Sequence, residues 1–345
     1  MTRRAVALFS GGLDSKLAIL TILKQGIEVK ALEFLTPFNT TILGRPLYAN
    51  KEISSVLNEV GFDVKTRCFK GIFIDIVKNP RFGYGKNINP CIDCRIFMLR
   101  EAKSMMEEIG ADFIITGEVL GQRPMSQRKD TFYLIDREAG VRGYVLRPLS
   151  ARLLEITIPE SRGIVNREGL HDFSGRTRKP QMALAKELGL SYYPAPAGGC
   201  LLTEPHYAKR LKDLLQYHAN PGITEINLLK IGRHFRFSPE CKIIVGRDKK
   251  ENEILESLAG KSDCLIKVEG YGSPTTVVSG EITNEALRIA ASLCARYSDA
   301  REIADIEAKV ITQDNAYYIR VSRASTEIVE TLRIDRVMRK KVVKA

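Results

Sequence analysis

Ala5-Val6-Ala7-Leu8-Phe9-Ser10-Gly11-Gly12-Leu13-Asp14-Ser15 reads as a buried strand that turns through two glycines into a helix, continued by Lys16-Leu17-Ala18-Ile19-Leu20. The glycines let the backbone take positive φ and approach a ligand, while the first amides of the new helix point into the turn, so the loop is a ready anion site. Ser10 and Ser15 add hydroxyl donors. Asp14 is an odd neighbour for a phosphate, because two negative charges repel unless Mg²⁺ lies between them or the carboxylate caps the helix. Apolar residues keep helical spacing from Asp14 to Gln25 and stop at Gly26; Val29 to Phe34 is a second strand, 49–60 a second helix, 63–69 a third strand and 112–117 a fourth. This alternation predicts an α/β domain with a doubly wound parallel sheet and ligands at the carboxyl ends of its strands, where Ser10, Phe34 and Gly117 lie.

The full string Ser10-Gly11-Gly12-Leu13-Asp14-Ser15 resembles the PP-loop of the N-type ATP pyrophosphatases. That resemblance implies an adenine nucleotide alpha hydrolase-like domain in which Ser10, Gly11, Gly12, Asp14 and Ser15, with Phe34 and Gly117, bind ATP and Mg²⁺. It also implies cleavage between the α and β phosphates and transfer of AMP to a substrate oxygen, which becomes a leaving group. A Walker A loop ends Gly-Lys-Ser/Thr, whereas Lys16 follows the serine here. Amidation, lysidine formation on tRNA and thiolation of tRNA are all compatible with the loop alone.

At 345 residues the chain exceeds the usual domain size of roughly 100–200 residues. The turn signal Asn220-Pro221-Gly222 divides it into a catalytic domain over 1–220 and an α+β domain over 221–345. A net charge of +12 favours a polyanionic partner without naming it. The apolar pentapeptide after Arg3-Arg4 is too short for a signal sequence, and no stretch approaches the roughly 20 apolar residues of a membrane span, so the chain reads as cytosolic. Seven cysteines, an odd number over a long chain, point to thiol or metal chemistry rather than a disulfide framework.

Further along, 82–90 is a glycine- and asparagine-rich loop leading to a helix that runs to about Ile109, 121–129 is a polar and basic loop that reads as a mobile loop over the site or, as composition favours, a plain solvated one, and 131–148 resembles a hairpin or a pair of edge strands. Arg162, Arg167, His171, Arg176, Arg178 and Lys179 form a basic cluster that could track a phosphate backbone, set against the plainer reading of a solvated face. Helical spacing returns over 180–188 and 205–218. Beyond the turn come short strands at 242–245, 264–268 and 275–279, helices over 249–258 and 284–297, strand-like alternation at 310–321 and 327–332, and a basic tail from Arg336.

Pro90-Cys91-Ile92-Asp93-Cys94 and Gly198-Gly199-Cys200 carry the second half of the reading. Two thiols three residues apart at a helix N-terminus can share a metal, and the helix dipole lowers their pKa toward thiolate. Cys68, Cys241, Cys264 and Cys294 sit in apolar surroundings as small hydrophobes. The CxxC supports a zinc half-site completed by Cys200 and His206, a thioredoxin-like pair, a persulfide on Cys200 resolved by a CxxC thiol, or Cys91, Cys94 and Cys200 holding three irons of a 4Fe-4S cluster. The ordered set Ser-Gly-Gly-Leu-Asp-Ser, Asn-Pro-Cys-x-x-Cys, Gly-Ala-Asp-Phe-Ile-Ile-Thr-Gly and Gly-Gly-Cys is similar to PP-loop tRNA thiolases related to the 2-thiouridylases and 4-thiouridine synthases, over about residues 4–217. The 2-thiouridylases have Asn-Pro-Asp and Thr-Gly-His where this chain has Pro90-Cys91 and Gly117-Glu118, which favours the three-cysteine arrangement of other thiolases. Ile244 to Asn252 with Gly272-Ser273-Pro274 is similar to the NFACT-R RNA-binding domain of ribosome-quality-control proteins.

Together these resemblances imply ATP-dependent thiolation of a tRNA uridine through an adenylated uracil, with Cys91, Cys94, Cys200 and Asp14 catalytic. They imply RNA contacts at Arg162, Arg167, Arg176, Arg178, Lys179, Arg247, Lys249 and Lys250, and sulfide or a persulfide carrier as sulfur donor. An amidotransferase, a lysidine-type ligase, or an RNA-binding adaptor with an inert loop are the competing expectations.

Overall fold

The computed structural model describes residues 3–38, 41–42, 45–46, 63–68, 71–190, 200–300 and 303–336. The expected helix at 49–60, Gly198-Gly199 and the tail beyond Arg336 lie outside the described residues. The chain divides into two compact units, Met1–Cys200 and Leu201–Ala345, so the helix before the Asn220-Pro221-Gly222 turn belongs with the second.

The first unit contains β1 (Arg4–Phe9), α1 (Leu13–Leu23), β2 (Glu28–Leu35), β3 (Asp63–Cys68), α2 (Ile72–Lys78), α3 (Cys91–Glu108), β4 (Phe113–Thr116), α4 (Lys129–Glu138), β5 (Val145–Leu146), α5 (Ile158–Ser161) and α6 (Lys179–Glu187). The strands form one parallel sheet in the order β3-β2-β1-β4-β5. β1 is apolar from Ala5 to Phe9 because both its faces are covered. Ala5, Ala7 and Phe9 pack with Ile19 and Ile22 of α1, while Val6 and Leu8 pack with Ile96 and Leu99 of α3 and Ile135 of α4. The chain runs outward from β1 to β2 and β3, then returns on the other side of β1 as β4. The strand order therefore reverses between β1 and β4, and the crevice beyond their carboxyl ends is where a ligand fits an open α/β sheet.

The expected hairpin at 131–148 is instead α4 followed by the short parallel strand β5. Thr131, Phe132, Ile135 and Asp136 form the buried face of α4, and the charge of Asp136 within that face disguises its helical period.

The second unit contains α7 (Pro205–Tyr217), α8 (Ile223–Leu228), β6 (Arg233–Ser238), β7 (Cys241–Val245), α9 (Lys249–Leu258), β8 (Cys264–Val268), β9 (Thr276–Gly280), α10 (Asn284–Arg296), β10 (Ile306–Ile311), β11 (Ala316–Val321) and α11 (Thr326–Leu332). Its sheet is antiparallel in the order β11-β10-β8-β9-β7-β6, with α10 on one face over Ile243, Ile266 and Ala308. The strand-like run at 310–321 is divided by a turn in which Thr312 N donates to Asn315 O at 2.9 Å. Residues 327–332 are helical rather than extended, because Ser325 caps α11 by accepting from Ile328 N at 3.2 Å. Cys241, Cys264 and Cys294 are buried in this core, as small hydrophobes are; the side chain of Cys68 lies outside the described residues. Among the described residues no helix is long and apolar enough to cross a membrane.

Candidate active site

The loop after β1 is tied to itself. Gly11 takes φ +71°, and Gly12 caps α1 in an extended conformation. The Ser15 hydroxyl donates to Gly12 O at 2.8 Å and accepts from Ser10 Oγ at 3.3 Å. Opposite this turn stands Gly117, just past β4. A Cβ there would lie 2.5 Å from Ser15 N and 2.6 Å from Asp14 C, so β4 and the first turn of α1 meet backbone to backbone and only glycine fits.

Asp14 does not cap α1. Its Oδ2 accepts from Gln122 Nε2 at 3.0 Å and pairs with Arg178 Nη2 at 3.3 Å, while Oδ1 is buried without a hydrogen-bond partner. Arg178 offsets the negative charge that would oppose an anion in the loop, and Oδ1 keeps lone pairs for a cation or a donor. Both partners are delivered by a built staple. Leu120 N donates to Ser150 Oγ at 2.9 Å, Ser150 Oγ donates to Phe173 O at 2.6 Å, and Gly175 N donates to Leu120 O at 2.7 Å. Residues 121–129 are thus no mere solvated loop: Ser126 and Gln127 are buried, and Gly121 N donates to Gln127 O at 2.6 Å.

The CxxC begins α3 directly after Pro90. Asp93 turns back to accept from the Arg81 and Phe82 amides at 3.0 and 3.2 Å, fixing the loop that precedes the cysteines. Cys91, Cys94 and Cys200 are half-buried thiols. Burial, then the proximity of Cys200 and Cys91, push the Cys94 thiol well above its ordinary pKa. The expectation of a dipole-lowered thiolate therefore fails at Cys94, where desolvation outweighs the helix end. Cys200 Sγ donates weakly to Phe38 O at 3.9 Å. Among the described residues no three Cys, His, Asp or Glu stand at the spacing that would hold a metal ion as they are, although three thiols drawn together from two chain segments fit the donor chemistry of a cluster. Phe34 meets Phe97 of α3 edge-on at 6.5 Å and packs in the core on that side of the sheet.

Sequence reasoning missed a buried charge network beside these thiols. Glu118 is 3% exposed; it pairs with Arg147 Nε at 3.2 Å and with Arg95 Nε at 3.4 Å, and Arg95 directly follows Cys94. Arg147 also grips Asp136 with both guanidinium nitrogens, at 2.8 and 2.9 Å, over the face of Phe132. The departure from Thr-Gly-His at Gly117-Glu118 was the one signal of it in the sequence.

The basic cluster separates into distinct jobs. Arg162, Arg176 and Lys179 are exposed. Arg167 instead binds Glu160 Oε1 at 2.5 Å and the Ala151 and Leu154 carbonyls, and Arg178 serves Asp14. His171 stacks on Phe173 at 4.9 Å, and burial lowers its pKa, which favours a neutral ring. In the second unit Lys249 and Lys250 are exposed in the first turn of α9, while Arg247 pairs with Glu251 one turn on.

Residues 1–155 match the family described as thiamine biosynthesis protein (ThiI), and residues 232–333 match the NFACT protein RNA binding domain. A tRNA sulfurtransferase of Desulfurococcus amylolyticus is 30% identical over 173 residues, half of this chain and 34% of that protein. The tRNA-specific 2-thiouridylase MnmA of Xanthobacter autotrophicus is 26% identical over 247 residues, 67% of this chain and 59% of that protein. The chain thus spans about a third of the length of the sulfurtransferase and under two thirds of the 2-thiouridylase. A 4-thiouridine synthetase solved with RNA and ATP is 22% identical with a TM-score of 0.33, covering 55% of this chain and 52% of that one, a likeness too slight to carry weight. The chain therefore joins a PP-loop region related to the tRNA sulfurtransferases and 2-thiouridylases to an NFACT-R-like region.

Proposed function

We propose that this protein is an ATP-dependent tRNA uridine thiolase. The observation that carries the reading is that a glycine turn suited to an anion and the half-buried thiols Cys91, Cys94 and Cys200 belong to one α/β unit, with Cys91 and Cys200 near enough to Cys94 to raise its pKa. The nucleotide phosphates fit the turn at Ser10-Gly11-Gly12 and the amides that open α1. Mg²⁺ fits Asp14 Oδ1, the buried oxygen that lacks a donor. A uracil carbonyl oxygen is a poor leaving group; its attack on the α-phosphate releases pyrophosphate, and sulfur then displaces AMP at the activated carbon. The amides that open α1 stabilise the charge that develops on the departing pyrophosphate, and Mg²⁺ held by Asp14 would add to that stabilisation.

Cys91, Cys94 and Cys200 are the sulfur site. As ligands of a 4Fe-4S cluster they would leave one iron open to bind the incoming sulfide. The second reading is a Cys200 persulfide whose inner sulfur is attacked by a Cys91 or Cys94 thiolate, with release of the outer sulfur and formation of the disulfide; it is favoured by the lack of metal-holding spacing among the described residues. The basic exposed residues of 162–179 and the NFACT-R-like domain, taken as 221–345, hold the tRNA. The thiols suit a cytosolic protein, with sulfide or a persulfide carrier as donor.

Mass spectrometry of tRNA nucleosides from a deletion strain tests the reaction: loss of one thiouridine is expected, and an unchanged set refutes it. Iron analysis and visible absorption after anaerobic purification separate the two sulfur readings. An iron-free protein that still thiolates tRNA excludes the cluster.

A further inference from the structure

The second unit contains a cleft of about 860 Å³ at the end of its sheet, lined by Arg296, Tyr297, Ile303, Arg323, Ser325 and Thr326 among others. That volume is in the range of small-ligand clefts, roughly 300–1,000 Å³. Among the described residues its lining contains no carboxylate, although the surrounding unit is rich in ion pairs.

The floor is held in place before any ligand arrives. Ala324 is buried; its amide donates to Ser292 O at 2.9 Å, and its carbonyl accepts from Arg296 Nη1 at 2.8 Å. Arg296 Nη2 donates to Thr326 Oγ1 at 3.1 Å, which leaves the Thr326 hydroxyl hydrogen to give elsewhere. Ser325 accepts from Ile328 N as the cap of α11, so its hydroxyl hydrogen is likewise available. Arg323, between these anchored neighbours, is exposed and has no ion-pair partner among the described residues. Tyr297 carries the Arg233 guanidinium over its ring at 4.3 Å, which adds a further positive charge beside the cleft.

We infer that this cleft is a phosphodiester site for the RNA partner. Arg323 and the Ser325 and Thr326 hydroxyls meet phosphate oxygens, Arg296 supports the cradle, and Ile303 offers an apolar contact for ribose. Two guanidinia and uncompensated hydroxyl donors complement a polyanion, and they would repel a basic peptide. The inference rests on the RNA-binding reading of this unit.

Binding of fluorescently labelled tRNA to the full chain tests it, measured across a salt series for wild type, Arg323→Ala and Arg323→Lys. Arg323 is exposed, so neither change should affect the fold, which thermal melting and ATP binding check. The expected result is about a tenfold loss of affinity for Arg323→Ala, a salt slope smaller by about one, and substantial recovery in Arg323→Lys. Wild-type affinity and slope in Arg323→Ala would overturn the phosphodiester site while leaving RNA binding intact. Failure of the wild-type protein itself to bind tRNA would instead remove the RNA reading on which the site depends.

Discussion

Gly117→Ala is the sharpest test of how the nucleotide turn is built. The new Cβ would lie 2.5 Å from Ser15 N, and ordinary contact begins at 3.4 Å, so β4 and α1 must separate by about 0.9 Å. Neither side yields easily. The atoms met are backbone, Lys16 N is bonded to Gly12 O at 3.2 Å, and Leu17 and Ile19 behind them are fully buried. Overpacking of this kind costs about 1–3 kcal/mol, and the rigidity of both partners places it near about 3. For a unit of some 200 residues that is a melting temperature lower by roughly 6–12 °C. If the proposed function holds, a displacement close to 1 Å at the amides assigned to the nucleotide phosphates should also slow tRNA-dependent pyrophosphate release by about a hundredfold. Gly26→Ala is the control. Gly26 also has positive φ but nothing within 4 Å of its Cβ, so about 1 kcal/mol of stability goes and activity stays. If Gly117→Ala melts and turns over like wild type, the close approach of β4 to the turn is wrong.

The other expectations concern burial and charge. Glu118→Ala leaves Arg147 held only by Asp136 and removes the partner of Arg95, so a loss of about 3 kcal/mol should appear in denaturant unfolding, with Glu118→Gln costing less; a neutral Glu118→Ala would discount the network. Burial and its thiol neighbours keep Cys94 protonated at neutral pH, so timed alkylation read by peptide mass spectrometry should find it slower than an ordinary cysteine up to about pH 9. Preferential early labelling of Cys94 would contradict this. In the second unit, burial lowers the Lys242 ammonium to about 7 against 10.5 for an ordinary lysine. Between those values the unfolded chain binds a proton the folded chain lacks, so this site makes stability rise with pH; Lys242→Met should flatten that slope, and an unaltered slope counts against it.

The sequence displays what is local. β1, its glycine turn and α1 are legible because a strand buried on both faces is uniformly apolar and because glycine marks the break; the CxxC at the head of α3 is legible from its spacing. What was hidden depends on distant partners. Gln122 and Arg178 lie 108 and 164 residues from Asp14, and each reads as ordinary polar surface until Gly121 and Gly175 bring their segments together. Asp136 concealed α4 for a related reason: its charge belongs in the core only because Arg147 meets it there.

The two halves of the site share two consecutive residues. Gly117 touches the first turn of α1, to which the proposed function assigns the nucleotide phosphates, and Glu118 reaches Arg95, the residue after Cys94. A strand end pushed away from α1 must therefore carry Glu118 with it and disturb the start of α3. Gly117→Ala should then alter the alkylation rate of Cys94 as well as pyrophosphate release, whereas Gly26→Ala, at the far end of α1, should leave both unchanged. A Cys94 rate that stays at the wild-type value while pyrophosphate release falls would mean that β4 supports the nucleotide turn alone, and that the thiols are positioned by α3 and its Pro90 cap without help from the strand.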